Sequence, residues 1–438
     1  MNSRALAAAE QRLTSFLAGV VPLLGRAERR HWATMYVRGL LLDGERKSIE
    51  PMAARLPGAD VQALRQFVNQ SPWAWTPVQE ALTEQVVDRV LPEAVLIIDE
   101  TSFPKQGTHS VGVARQYCGA LGKTANCQVA VSVHLGTDAG CVPLVWKLYL
   151  PDTWTGDPAR RTAAGIPEAV RYRTKNELAL DALDEVRARG VGPRVVLADS
   201  AYGNSFEFRA ALVERQLPYC VQVEPVTTAW TAPPAPSTPP PSQGHGRPRR
   251  RPPRADLPVP HALRALAQAL PKTAWHAVTW RAGSKGPLRS RFARLPIWLA
   301  HRWTVTRSVP TESVELLVEW SQDEPAPTTY WLADLRGETL GLRRFVRLAK
   351  GRWRIELDYR ELKDELGLDH FEGRSWTGWH HHMTLATLAY TFLLCETHRR
   401  KTTPAMTLPQ TRRWLQHMLL RLGEWCPACG RHWDFDSS

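Results

Sequence analysis

The first 90 residues carry apolar side chains at intervals of three and four positions, the spacing of one face of an α-helix. This pattern predicts helices over Ala5–Leu24 and His31–Leu42, with shorter helices over Ser48–Leu56 and Asp60–Val68. The region is also basic, since it contains Arg26, Arg29, Arg30, Arg38, Arg46 and Lys47. Such arginines suit contacts with DNA phosphates, and a solvated helical cap on a neighbouring domain is the alternative.

Beyond residue 91 the pattern changes to short runs of β-branched and other apolar residues. Ala94–Ile98 ends at Asp99, and Arg194–Ala198 ends at Asp199. Short apolar runs bounded by polar residues predict strands that are buried on both faces. We therefore expect each of the two aspartates to follow directly after a buried strand.

The segment between these two runs has its own signals. A loop is predicted over Glu100–Gly122, followed by strands over Cys127–Leu135 and Val142–Tyr149 that form a hairpin. A helix is predicted over Lys175–Arg189 because Thr174 and Glu177 have the spacing of a capping box and Gly190 follows. The predicted order of elements is β-β-β-α-β.

The second half of the chain begins with a segment, Pro225–Pro260, that is rich in proline and arginine. Such a composition cannot bury enough apolar surface to fold alone and indicates a flexible linker. Short alternating strands return over Trp275–Trp331. Helices are predicted over Leu340–Leu366 and Trp376–Arg399.

Composition and charge narrow the class of protein. A chain of 438 residues is expected to form two or three domains. The formal net charge of +13 suits a polyanionic partner, although a solvated basic face gives the same excess. Seven scattered cysteines fit reduced thiols. Because no apolar helix candidate reaches the roughly 20 residues that span a bilayer, we expect a soluble cytoplasmic protein.

A third acidic residue, Glu356, lies between Arg352 and Lys363 at spacings of four and seven residues, so the three share one face of the predicted helix. An ordinary ladder of ion pairs has the same spacing. An aspartate at the end of a buried strand lies where open α/β sheets place their chemistry, and it is also a common turn or helix cap. The combination of Asp99, Asp199 and Glu356 favours a set of catalytic carboxylates.

These three acids resemble the DDE triad of the transposases of bacterial insertion sequences. Around the glutamate, those enzymes have the signature Tyr-x2-Arg-x3-Glu-x6-Lys. Arg352 and Lys363 stand at the matching spacing from Glu356, whereas Ala349 stands at the tyrosine position.

Longer strings carry the same resemblance. They are DETSFPKQGTHSVGVARQYCGALGK, ADSAYG and RWRIELDYRELKDELGLDHFEGRSW, and they resemble one branch of the superfamily. The similarity runs from about Pro92 to Thr391, with a gap in the proline-rich segment.

The resemblance implies an α/β fold with an RNase H-like core, in which helices flank a mixed sheet. A β-rich insertion would split this core, and a helical domain would precede it. The expected organisation is a helical, DNA-binding domain (1–90), the first part of the core (91–224), a linker (225–260), the insertion (261–335), the second part of the core (336–400) and a C-terminal tail (401–438).

The resemblance also implies two Mg²⁺ ions, for which Mn²⁺ can substitute. Asp99 would bridge both ions, and Asp199 and Glu356 would each complete the coordination of one. The implied function is cutting the ends of an insertion sequence and joining them to target DNA. A metal-dependent endonuclease without strand transfer, or a non-catalytic DNA-binding derivative, is the alternative.

The implied partner is double-stranded DNA, bound by a homodimer in a synaptic complex in the bacterial cytoplasm, in association with the nucleoid. Trp331 corresponds to a tryptophan that stacks a flipped base in some relatives, and core packing is its alternative role. The residues expected to contact DNA are Arg352, Lys363, Trp331, Lys105, Arg115, Arg29 and Arg30.

Two further motifs are typical of metal ligands. Consecutive residues of a helix point about 100° apart, so His380, His381 and His382 are not expected to converge on one ion. Cys426 and Cys429 have the spacing of half a zinc knuckle, to which His432 adds one candidate ligand. A frayed tail that carries free thiols is the alternative.

Overall fold

A computed structural model describes residues 3–89, 94–137, 140–234, 258–283, 286–300, 312–399 and 406–420. The chain divides into two compact units. The first consists of Met1–Ala94, Ile98–Gly192 and Arg354–Ser438, and the second of Val95–Ile97 and Pro193–Trp353. Each unit therefore combines segments that are distant in the sequence.

The first unit begins with the predicted helical region. Its helices are α1 (Ser3–Ala18), α2 (Ala27–Leu41), α3 (Ile49–Ala53), α4 (Val61–Asn69) and α5 (Trp75–Arg89). The first helix ends before Leu24, because Gly19 and Pro22 are poor helix formers, and only a 3₁₀ turn follows at Val21–Leu24. The predicted N-terminal helical region is thus confirmed.

Four strands follow: β1 (Val95–Pro104), β2 (Ala114–Cys118), β3 (Lys123–Gly136) and β4 (Cys141–Leu148). The strand β3 pairs antiparallel with β4, which confirms the predicted hairpin, and with β2, which lies where a loop was predicted. Helices α6 (Asp152–Thr155), α7 (Pro158–Ala164) and α8 (Lys175–Ala188) come next. The capping box of Thr174 and Glu177 at the start of α8 is also confirmed.

The strand β1 is longer than predicted, since it continues beyond Asp99 to Pro104. The polar residues after Asp99 do not end this strand, because their side chains are buried or form hydrogen bonds within the fold. Thr101 and Ser102 are buried, and Ser102 Oγ accepts hydrogen bonds from the amide of Ala120 and the thiol of Cys118. The prediction of a strand that ends at Asp99 was therefore wrong.

The elements of the second unit that follow β1 are β5 (Val196–Ala198), α9 (Ser200–Gly203), α10 (Phe206–Glu214), β6 (Tyr219–Val223), β7 (Thr228–Trp230), β8 (His261–Ala262), α11 (Leu263–Gln268), β9 (His276–Gly283), β10 (Gly286–Leu299), β11 (Val314–Trp320), β12 (Thr329–Asp334) and α12 (Leu342–Ala349). Leu96 and Ile97 of β1 pair in parallel with Val196 and Leu197 of β5. β5 pairs in parallel with β6, and the remaining ladder of β12, β11, β10 and β9 is antiparallel.

The fold class is therefore α/β, with parallel and antiparallel strand pairs and flanking helices, consistent with an RNase H-like core. The predicted β-rich insertion is present between β6 and α12. Most of the predicted linker, residues 235–257, lies outside the described residues, but Thr228–Trp230 near its start forms the strand β7. The proposed domain boundaries remain predictions.

The helix predicted over Leu340–Leu366 is two helices. α12 ends at Ala349, Lys350–Arg352 form a 3₁₀ turn, and α13 spans Trp353–Leu366. Gly351 lies in the turn, and glycine costs roughly 1 kcal/mol more than alanine in a helix interior. The prediction of one continuous helix was wrong because it ignored this glycine.

The core of the first unit is built around α14 (Trp376–Arg399), whose bounds are those predicted. Most of its residues are buried, and Thr384 and Thr387 accept hydrogen bonds from Gln79 and from the indole of Trp146. The last described helix is α15 (Leu408–Leu420). In the part of the chain that the structure describes, no helix combines the length and the apolar character needed to cross a membrane.

Candidate active site

Two of the predicted catalytic acids follow the parallel strand pair of the second unit. Ile97 and Leu197 are the last partners in register, and Asp99 and Asp199 come two residues later in their respective chain segments. Asp199 also caps α9, since its carboxylate accepts a hydrogen bond from the amide of Ala201 at 3.0 Å. The helix-cap role and a catalytic role are compatible, because one carboxylate has several lone pairs.

Asp99 belongs to the first unit, where its side chain is 8% exposed. Its Oδ1 atom accepts a hydrogen bond from the amide of Glu100 at 2.8 Å. Burial, and then the negative charge of Asp99, raise the pKa of the Tyr359 phenol. The Asp99 carboxylate thus lies within electrostatic reach of the helix α13.

Side chains on one face of α13 contact β3 and the last residues of β1. The Tyr359 hydroxyl shares a hydrogen bond of 2.7 Å with Ser132, and the ammonium of Lys363 donates to the carbonyl of Ser102 at 3.0 Å. Glu356 is exposed and lies three residues before Tyr359 and seven before Lys363, so it shares their face. Glu356 and Lys363 thus lie on one face of α13, and Lys363 contacts β1 at Ser102.

The donor set suits the implied metal. Asp99, Asp199 and Glu356 offer carboxylate oxygens, and Mg²⁺ prefers oxygen ligands and needs only a few from the protein. Asp99 is buried, and burial makes an ionised carboxylate gain from a nearby cation. The carboxylates present therefore fit a divalent ion.

Arg352 is placed differently from the prediction. It lies in the 3₁₀ turn Lys350–Arg352 that directly precedes α13, whereas Glu356 and Lys363 lie within α13. Lys363 is engaged with a main-chain carbonyl, and burial lowers the pKa of its ammonium. The roles of Arg352 and Lys363 in binding DNA remain predictions.

Trp331 is only 5% exposed in β12 of the second unit. The ammonium of Lys350 lies 5.3 Å from its ring centroid and is paired with Glu319 at 2.5 Å. A ring buried in this way would have to leave its packing before it could stack a base. Its role in DNA binding remains a prediction.

Lys105 is also held by main-chain atoms. Its ammonium donates to the carbonyls of Phe371 and Asp369 at 2.6 and 3.3 Å, and burial lowers its pKa to about 8. It lines a cleft of about 580 Å³ in the first unit together with basic residues. These basic lining residues are Arg46, His109, His370 and Arg374, beside the acidic Asp369 and Glu372.

The other predicted DNA contacts lie on the surface. Arg115 is exposed on β2, two residues from Tyr117, which is 61% exposed. On α2, Arg30 is exposed, and the guanidinium of Arg29 donates to the carbonyl of Pro72 at 3.4 Å. These arginines are therefore placed where phosphates could reach them.

One polar cluster of the first unit was missed from sequence. His134 on β3 donates from Nδ1 to Asp358 Oδ2 at 2.8 Å, and the hydroxyl of Tyr390 donates to Asp358 Oδ1 at 3.0 Å. Cys141 on β4 lies beside them, and burial raises the pKa of its thiol. A histidine in the apolar run VAVSVHLG was the only available signal. Its partner is distant in the sequence.

The glycine of the ADSAYG string has a structural role. A Cβ at Gly203 would lie 1.9 Å from the carbonyl oxygen of Gln222, which is backbone and cannot yield. We expect Gly203→Ala to lower the free energy of unfolding by about 2 kcal/mol or more, measured by urea denaturation. At Gly192 the added Cβ meets nothing within 4 Å, so Gly192→Ala is the matched control. Equal stability of the two variants would contradict the close approach.

Comparisons with known proteins support one family. The family model described as DDE superfamily endonuclease matches residues 19–287, more than half of the chain. A probable transposase for insertion sequence element IS701 from Microchaete diplosiphon is 35% identical over 189 residues, which cover 42% of this chain and 46% of that protein. The match thus spans less than half of the relative's length.

A cryo-EM structure of a piggyBac transposase synaptic complex with hairpin DNA is similar at 10% identity and a TM-score of 0.43. The alignment covers 93% of this chain and 78% of that one. A TM-score at this level is too low to carry an argument about the fold or the site.

Proposed function

Because the chain belongs to the DDE superfamily endonucleases, we propose that it is the DNA transposase of an insertion sequence, which cuts the ends of its element and joins them to target DNA. The observation that carries the proposal is the placement of the acids. Asp99 and Asp199 each come two residues after the last registered pair of β1 and β5. Glu356 shares a face of α13 with Tyr359, whose pKa is raised by burial and by the charge of Asp99. The IS701 relative supports the choice of reaction.

Asp99, Asp199 and Glu356 are proposed to hold two Mg²⁺ ions, which Mn²⁺ can replace. Divalent cations held there would supply activation of the attacking water or 3′-hydroxyl and stabilisation of the leaving oxygen. The protein's own contribution is to keep the carboxylates in place. Tyr359 and Lys363 do this for α13, since they bond to Ser132 and to the carbonyl of Ser102. The raised pKa of Tyr359 keeps its hydroxyl protonated beside Asp99.

Double-stranded DNA is the proposed substrate, and the net charge of +13 favours such a polyanion. Arg115 and Arg30 are exposed and suit phosphate contacts. Lys105 and Lys363 already donate hydrogen bonds to main-chain carbonyls, so a phosphate would accept hydrogen bonds from the remaining N–H groups of their ammoniums. Arg29, Arg352 and Trp331 complete the proposed set. A homodimer is proposed because two element ends have to be joined.

The test is an assay of the full-length protein with Mg²⁺ and DNA that carries the terminal repeats of the encoding element. We expect cut ends and products in which those ends are joined to target DNA, and neither product when EDTA replaces Mg²⁺. DNA with scrambled repeats is the matched control. Cut products without joined products would identify an endonuclease instead, and binding without cleavage would identify a DNA-binding derivative.

A further inference from the structure

The cluster of His134, Cys141 and Asp358 differs from the proposed catalytic acids in the kinds of side chain that it contains. Its three side chains come from β3, β4 and α13, and all three are buried. One imidazole nitrogen, one thiol sulfur and one carboxylate oxygen lie within 4.8 Å of one another. This is the mixed nitrogen, sulfur and oxygen set that Zn²⁺ accepts and that Mg²⁺ avoids.

The distances between the three candidate ligand atoms span the range that is found between the ligands of a zinc ion. Zinc bonds of about 2.0–2.3 Å place ligand atoms roughly 3.3–3.8 Å apart around a tetrahedron. His134 Nδ1 and Asp358 Oδ2 are 2.8 Å apart, in hydrogen-bond contact, and no pair of the three ligand atoms is farther apart than 4.8 Å. Small rotations of the side chains therefore suffice to reach coordination distances.

Charge points the same way. A carboxylate and a thiolate together carry two negative charges, which a divalent ion balances within this buried cluster. Without such an ion the thiol stays protonated, because burial and the charge of Asp358 raise the pKa of Cys141.

We propose that His134, Cys141 and Asp358 form a buried structural site for one Zn²⁺ ion per chain, with a fourth position for a water molecule. The site joins the β3–β4 hairpin to α13, two residues beyond Glu356. The inference goes beyond the proposed function and does not rest on it, since a zinc ion would brace this helix whatever reaction the protein performs.

Proton transfers accompany the binding. The thiol of Cys141 releases its proton to solvent and binds as a thiolate. The imidazole of His134 gives up its Nδ1 proton to become a ligand and takes one at Nε2. Among the residues that the structure describes, none forms a hydrogen bond with this buried Nε2 atom, so no neighbouring donor blocks its protonation. Asp358 keeps the hydrogen bond from Tyr390 on its other oxygen.

The experiment measures metal in the full-length protein, made in zinc-supplemented medium and dialysed against metal-free buffer. Cys426→Ser and Cys429→Ser are introduced throughout, so that this pair contributes no zinc. We expect about one zinc ion per chain. In Cys141→Ser, which loses one metal ligand, we expect the zinc content to fall by at least about tenfold. Cys220→Ser, which removes another buried free cysteine, is the matched control and should keep its zinc.

Cobalt substitution makes the result independent of the folding of any variant. Co²⁺ bound to the unsubstituted site should give thiolate-to-metal charge-transfer absorption and the intense visible bands of a tetrahedral ion. Absence of both zinc and these bands in folded protein would overturn the proposal and leave a plain hydrogen-bonded cluster. Zinc that persists in folded Cys141→Ser would overturn it equally.

Discussion

Asp99→Asn, Asp199→Asn and Glu356→Gln are each expected to lower the rate of DNA strand cleavage by about 1,000-fold, or about 4 kcal/mol in activation free energy. Each change keeps the size of the side chain and removes one negative charge from the proposed metal ligands. Cleavage of end-labelled DNA with terminal repeats, followed over time at saturating Mg²⁺, measures the effect. Binding of the same DNA should remain, because basic side chains carry most of the affinity.

Asp364→Asn is the matched control for these variants. Asp364 lies on the same helix as Glu356, is exposed, and loses the same charge when it is changed. We expect its cleavage rate to stay within about twofold of the unchanged protein. The assignment of the three acids is wrong if their variants cleave DNA as fast as Asp364→Asn does.

Lowering the pH from 6.5 to 4.5 is expected to destabilise the fold through the three histidines of α14. Burial lowers the pKa of His380 to about 3 and those of His381 and His382 to about 4, against about 6.5 in an unfolded chain. Above pH 6.5 both states are neutral and stability does not change on their account. Below it only the unfolded chain takes up protons, so each histidine costs about 1.4 kcal/mol per pH unit.

The hydrogen bonds of these histidines differ. His382 is bonded to Tyr36 and to the carbonyl of Leu368, whereas both ring nitrogens of His381 face carbonyls, those of Val68 and Trp73. Two carbonyl acceptors favour an imidazolium, but burial outweighs them and lowers the pKa.

Glu361 changes the stability of the fold in the opposite direction to the three histidines as the pH falls. Its pKa in the folded protein is about 7, above that of an unfolded glutamate, so folding binds a proton there as the pH falls. For these four groups together, the contributions of the three histidines less that of Glu361 give a loss of about 3 kcal/mol per pH unit in this window. Urea denaturation at several pH values, followed by tryptophan fluorescence, measures the slope.

Replacing one of the three histidines measures its own contribution to the pH dependence of stability. His380→Phe removes one titrating group and keeps a ring against Trp75, on which His380 stacks at 4.5 Å. Its slope should be lower by about 1.4 kcal/mol per pH unit. His109→Asn changes an exposed histidine and should leave the slope as it was. A His380→Phe slope equal to that of the unchanged protein would contradict a buried neutral histidine.

Local signals predicted several elements to within a residue or two. The capping box fixed the start of α8, and the apolar pattern of Trp376–Arg399 gave the bounds of α14, because in both cases neighbouring residues hold the information. Two predictions were wrong. β1 runs past Asp99 because its polar residues find buried partners, and Gly351 interrupts what was taken as one helix.

By itself the sequence determined the candidate acids, their family resemblance and most of the secondary structure, since spacing and side-chain type are properties of short stretches. Only the tertiary structure decided which side chains are buried and which polar groups meet. It placed the basic Lys105 against main-chain carbonyls and joined His134 to Asp358 across 224 residues. Burial and long-range hydrogen bonds depend on how distant segments pack, and no local pattern carries that information.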